Sequence, residues 1–134
     1  MKKNLVICIL MMLACLTAQT ALAQQSNKGI HIDLTGQIGN SDGWLNMDGL
    51  NGSYSYSLPN GRVERRLEFV SFDKRTGRLV LKARDKQGKY VGQFNGIYKT
   101  QTYREEGQEL RVDNYKGIFT NYKGVKIDFD LYMD

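Results

Sequence analysis

From Ile30 onward the chain changes character at every second residue. Ile30, Ile32, Leu34, Gly36 and Ile38 fall on one side of an extended chain, and His31, Asp33, Thr35 and Gln37 on the other. Successive side chains of a strand point to opposite faces, so this pattern predicts a strand with one face in a core and one in water. Gly52-Ser-Tyr54-Ser-Tyr56-Ser-Leu58 repeats it with serine at each outward position. Leu79, Leu81 and Ala83 alternate with Arg78, Val80, Lys82 and Arg84, while Tyr90, Gly92, Phe94, Gly96 and Tyr98 share a face. Val125, Ile127, Phe129, Leu131 and Met133 close the series. In Leu67-Glu-Phe69-Val70-Ser-Phe72 the apolar phase slips by one, which predicts a β-bulge. Helical spacing is absent from Gln24 onward.

The breaks between runs are short and carry turn chemistry. Pro59-Asn60-Gly61 predicts a hairpin, and Asp73 to Gly77, Asp85 to Gly88 and Asn121 to Gly124 each open with Asp or Asn and end with Gly. Asn40 to Gly43 and Glu105 to Gly107 are weaker versions of the same signal. Strands joined by tight hairpins are antiparallel neighbours. The expectation is an all-β, antiparallel up-and-down meander of seven or eight strands, the count depending on whether Trp44 to Asp48 is separate from the strand at Gly52.

Gly-x-aromatic occurs at Gly52, Gly92, Gly96 and Gly117. Residues two apart share a strand face, so each glycine leaves room for a neighbouring ring and lets the strand bend. A meander without helices leaves an uncovered face and two raw edges unless it closes. A closed barrel is therefore expected, with a two-sheet sandwich as the alternative. The bulky inward set (Tyr54, Tyr56, Leu58, Leu79, Leu81, Tyr90, Phe94, Tyr98, Phe119, Ile127, Phe129 and Leu131) predicts a packed interior rather than a cavity.

Gly52-Ser-Tyr-Ser-Tyr56, the segment Asp85 to Gly96, and Tyr115-Lys-Gly-Ile-Phe-Thr-Asn-Tyr-Lys-Gly124 followed by Phe129-Asp-Leu131 resemble the pattern of small exported bacterial β-meander domains. The general look is also similar to avidin-type barrels. What the resemblance implies is a fold; its motifs are turn and packing signals and imply no active site.

The front of the chain adds a compartment. Lys2 and Lys3 precede an apolar run from Leu5 to Leu16, and Ala21-Leu22-Ala23 is a small-x-small cleavage site, so residues 1–23 read as a signal peptide and 24–134 as a single exported domain, periplasmic or secreted. Cys8 and Cys15 both lie in the removed part, leaving no thiol to oxidise. Met12-Leu-Ala-Cys15 is a loose lipoprotein box, the one route to a membrane contact through an acylated Cys15.

Without the signal, 17 Lys+Arg stand against 14 Asp+Glu, a net +3 concentrated in one block. Residues 61–100 carry +7, and the flanking stretches 24–60 and 101–134 carry −2 each. For an exported protein that block points to an anionic glycan or a protein partner, and not to nucleic acid. Arg78, Lys82 and Arg84 share one side of a strand and are the expected binding residues, with Arg62, Arg65, Arg66, Lys74, Arg75, Lys86 and Lys89 around the adjacent hairpins.

Catalytic chemistry is poorly provided for. The sole histidine, His31, has Asp33 two residues on but no second His or Cys to complete a metal site. Asn40, Asp42, Asn46 and Asp48 imitate a calcium loop until Leu45 replaces its Gly and Asn51 its bidentate Glu. Glu105-Glu106 sits in a turn and Asp128 and Asp130 point outward, so neither forms a hydrolytic pair. The expectation is a non-enzymatic exported binding module with no cofactor and no metal, acting through an outer face or loops on a glycan or protein. The alternatives are a small-ligand carrier using the barrel interior and an inhibitor of a secreted hydrolase, for which Glu105, Glu106 and Glu109 would form the acidic loop.

Overall fold

The computed structural model describes residues 28–133. The expected signal segment, its cleavage site and Cys15 lie outside the described residues. Eight strands follow one another: β1 (Ile30–Ile38), β2 (Ser41–Gly49), β3 (Asn51–Leu58), β4 (Gly61–Asp73), β5 (Arg78–Arg84), β6 (Tyr90–Glu105), β7 (Gln108–Asn121) and β8 (Lys126–Met133). Each pairs antiparallel with the next, and β8 returns to β1 through the register Leu34↔Met133 to Ile38↔Phe129, which closes the barrel. The sandwich alternative is thereby excluded. Trp44 to Asp48 belongs to β2, one strand before Gly52, so the count is eight.

The turns are made as their residues dictate. The Asp85 carboxylate accepts the amides of Gln87 and Lys89, and the Asn121 side chain those of Lys123 and Val125, all at 2.9 Å. Gly77, Gly88 and Gly124 then take φ of 79°, 84° and 85°, conformations that a Cβ disfavours. The β1–β2 turn falls at Gly39-Asn40, so Ser41 to Gly43 are already strand and the reversal lies ahead of the predicted Asn40-to-Gly43 turn. At the tip of β6–β7, Glu106 and Gly107 both have positive φ, of 52° and 78°. The predicted bulge is present: the β4–β5 register shifts between Phe69 and Ser71, which leaves Val70 exposed while Phe69 and Phe72 both pack on the core.

Inside, Phe94 is the hub. Its ring lies 4.9 Å from Tyr54, 4.7 Å from Phe119 and 5.1 Å from Phe129, and Tyr115 packs 4.7 Å from Phe129. These tilted and edge-on contacts suit the ring quadrupoles. Leu34, Leu45, Met47, Leu67, Leu79, Leu81 and Leu131 fill the space around them, so the middle of the barrel is solid, as side chains of this size make it in eight strands. Ile32, Leu34 and Ala83 were legible as inward from their alternation, whereas Tyr115 belongs to the core without having been expected there. Its hydroxyl donates to the Leu79 carbonyl at 2.8 Å.

Two of the expected inward residues are outside. Leu58 ends β3 at the rim and is exposed. Tyr90 is exposed because the β5–β6 register shifts after Ala83↔Gly92, so that Tyr90 pairs with Arg84 on the outer wall and Val91 turns to the core in its place.

Candidate functional site

Because β4, β5 and β6 are neighbours, part of the sequence block of high positive charge falls on one side of the barrel wall. Arg78, Lys82 and Arg84 lie on β5 and alternate with the core residues Leu79, Leu81 and Ala83, so all three belong to the outer face. Arg84 lies opposite Arg66 on β4, a cross-strand pair of like charges, and Lys82 lies opposite Glu68. The Arg84 Nε donates to Glu68 Oε1 at 2.7 Å, and its Nη1 donates to the Gly88 carbonyl at 3.0 Å. The Lys82 ammonium stands 5.5 Å over the Tyr90 ring. Arg78 is farther along, donating to Asn95 Oδ1 at 3.1 Å, and Val80, buried but outside the core cluster, interrupts the stripe between it and Lys82. At about 3.3 Å per residue, that separation is about 13 Å.

Arg62 and Arg65 do not join this face. Arg62 reaches back across β3, donating to the buried Ser55 Oγ at 2.6 Å and covering the Trp44 ring at 4.6 Å. Asp33, Asn46 and Glu64 complete a shallow groove of about 240 Å³ there. The clue in the sequence was the single tryptophan at an outward position. Arg65 shares the inward phase of Leu67 and lies opposite the core residue Tyr54. The sequence groups Arg65 with the exposed bases, but alternation from Leu67 puts it in the inward phase, where it is partly buried.

His31 Nδ1 sits 2.8 Å from Asp48 across the β1–β2 ladder, with both side chains largely exposed, while Asp33 lies opposite Asn46. Asp42, Asn46 and Asp48 are outward residues of regular strand, not loop ligands. Glu105, Glu106 and Glu109 lie on a projecting arm: β6 pairs with β5 only as far as Ile97, and β7 with β8 only from Asn114, so residues 99–113 pair solely with each other.

A buried carboxylate holds the base of that arm. Asp113 is 6% exposed, accepts a short hydrogen bond from the Tyr98 hydroxyl, and lies 3.2 Å from Arg111 Nε. Burial pushes the Asp113 carboxyl up, but the hydrogen bonds from Tyr98, Thr100 and Arg111 and the Arg111 charge outweigh it and hold the group below the usual carboxylate range. The same burial, with the carboxylate alongside, raises the Tyr98 hydroxyl.

The two barrel ends differ. At the arm end Phe72, Tyr98 and Tyr115 pack ring against ring. At the opposite end, where the β1–β2 and β7–β8 turns lie, a cavity of about 340 Å³ opens among Ile38, Asn40, Tyr54, Tyr56, Phe119 and Ile127. The interior is thus packed through the middle and hollow at one mouth. No protein-family model, curated protein or solved structure matches the chain.

Proposed function

We propose that this is an exported, non-enzymatic binding module whose basic wall takes an anionic glycan. The observation that carries the reading is the adjacency of β4, β5 and β6, which brings Arg66, Arg78, Lys82 and Arg84 to one side of the barrel with Glu68 among them. Like charges placed directly opposite on paired strands repel, and Arg66 opposite Arg84 is such a pair, compensated only in part by Glu68. A row of sulfates or carboxylates laid along the wall supplies the missing counter-charge. Arg78, Lys82 and Arg84 are the proposed contacts, Arg66 and Lys89 their neighbours, and the exposed Tyr90 ring offers a flat surface to a sugar.

Attraction of this kind is screened by salt, with a Debye length of about 8 Å at physiological ionic strength. The test is retention on immobilised heparin. The wild type is expected to bind at low salt and elute in a gradient, and the Arg78→Gln/Lys82→Gln/Arg84→Gln triple variant to elute at much lower salt. Its stability should be nearly unchanged, since partly exposed ion pairs such as Arg84–Glu68 contribute about 0–1 kcal/mol. Elution of both proteins at the same salt would remove the stripe as the site.

A further inference from the structure

The cavity at the hairpin mouth is lined by a tyrosine whose hydroxyl the fold leaves unused, with an arginine opposite it on the neighbouring strand. Of the large buried or half-buried tyrosines, Tyr115 donates to Leu79 and Tyr98 to Asp113. Tyr54 is 4% exposed, lines the cavity, and makes no side-chain hydrogen bond among the described residues. Among those residues every fully enclosed side-chain nitrogen or oxygen has a partner, so the Tyr54 hydroxyl keeps some accessible surface. Buried hydroxyls ordinarily find a partner, and leaving one without costs free energy.

The second group is Arg65. It lies outside the cavity lining but directly opposite Tyr54, in the inward phase, and is partly buried. Among the described residues its side chain makes one hydrogen bond, a long one of 3.4 Å to the Glu64 carbonyl, and has no carboxylate partner. Its charge is felt at the Tyr54 hydroxyl, which burial otherwise raises. A guanidinium on a partly buried side chain, without an anion, is the arrangement that a bound carboxylate or sulfonate would complete, since charge-assisted hydrogen bonds are about twice as strong as neutral ones. Apart from Asn40 and Ser41 the remaining wall is apolar and aromatic: Tyr54 and Tyr56 lie nearly parallel, 18° apart, beside Phe119, Ile127 and Ile38. Such a lining, with few polar groups and a volume of about 340 Å³, lies at the small end of the range for small-molecule sites.

We infer that this mouth binds a small organic acid, its flat apolar body between Tyr56, Phe119 and Ile127 and its acidic group toward the Tyr54 hydroxyl and Arg65. The site lies inside the barrel, separate from the outer basic wall, and stands or falls independently of it.

The test uses two fluorescent probes that share an apolar body: 8-anilinonaphthalene-1-sulfonate, which carries the anion, and N-phenyl-1-naphthylamine, which does not. The folded exported domain is expected to bind the sulfonate saturably, one to one. Arg65→Gln should weaken the sulfonate about tenfold and leave the uncharged probe within about twofold. Ile127→Trp, which fills the mouth, should exclude both, and the Arg78/Lys82/Arg84 triple variant should bind both like the wild type. Tyr54→Phe keeps the ring and removes the hydroxyl, and should also weaken the sulfonate selectively. Non-saturable binding to the wild type, equal affinity of wild type and Arg65→Gln for the sulfonate, or loss of the sulfonate in the triple variant would each overturn the mouth site. The last result would place the anion on the outer wall.

Discussion

At Gly96 the barrel has no room for a side chain. A Cβ there would lie 2.5 Å from the Lys116 carbonyl oxygen and 2.8 Å from the tip of the Phe129 ring, and one on its cross-strand partner Gly117 would lie 2.4 Å from the Gly96 Cα. Gly92 is similar, with the Phe119 ring at 2.3 Å. The Gly-x-aromatic repeat in the sequence therefore marks places where a ring or a neighbouring strand occupies the space of the missing side chain. Because part of the obstruction at Gly96 is backbone, it cannot be relieved by a rotamer change. Gly96→Val is expected to destabilise by at least about 1–3 kcal/mol, lowering the Tm by about 4–8 °C per kcal/mol in a domain of this size. An unchanged melting temperature would mean that β6 and β7 separate easily, contrary to the packing described.

Asp113 sets a pH dependence of defined sign. Its pKa is lowered in the folded state, so the stability it contributes is fully present above the unfolded carboxylate value of about 3.9 and is lost as pH falls through the lower folded value. Asp113→Asn should cost about 1–3 kcal/mol at pH 7, because Tyr98 and Arg111 lose a buried acceptor. In urea unfolding, the gap between wild type and variant should narrow as pH is taken from 5 to about 2. A gap that stays constant would assign the loss to packing instead of to the charge.

Among the elements, what the sequence made legible and what it did not divide along a physical line. Period-two alternation, Asx-to-Gly turns and the apolar slip at Phe69-Val70 are local, and strand, turn and bulge follow them directly. The shift that turns Tyr90 outward was hidden, because Tyr90, Gly92 and Phe94 keep perfect alternation in sequence while the register with Ala83 and Arg84 does not. Arg65 was misplaced for the opposite reason: its charge argued for water, and the phase of its own strand, set by Leu67, overrode it. The projecting arm and the Tyr98–Asp113 bond depend on where β5 and β8 stop pairing, which no local pattern states. Of the candidate sites, the outward position of Arg78, Lys82 and Arg84 was readable from alternation. Their interruption by Val80 and the ties of Arg84 to Glu68 and Gly88 required the assembled sheet.

For the molecule as a whole, closure makes the barrel asymmetric. In an open meander β4–β6 would be the middle of a sheet with both edges raw; in the barrel they form one basic side, with the hollow mouth at one end and the arm at the other. Binding at the basic wall is tested by amide chemical-shift mapping of isotope-labelled residues 24–134 titrated with a heparin oligosaccharide. Saturable, salt-sensitive shifts are expected on Arg66 to Glu68, Arg78 to Arg84 and Lys89 to Tyr90, with the mouth and the arm unmoved. Shifts clustered on the Trp44–Arg62 groove, on the arm or at the mouth, or no saturable shift at low salt, would contradict it.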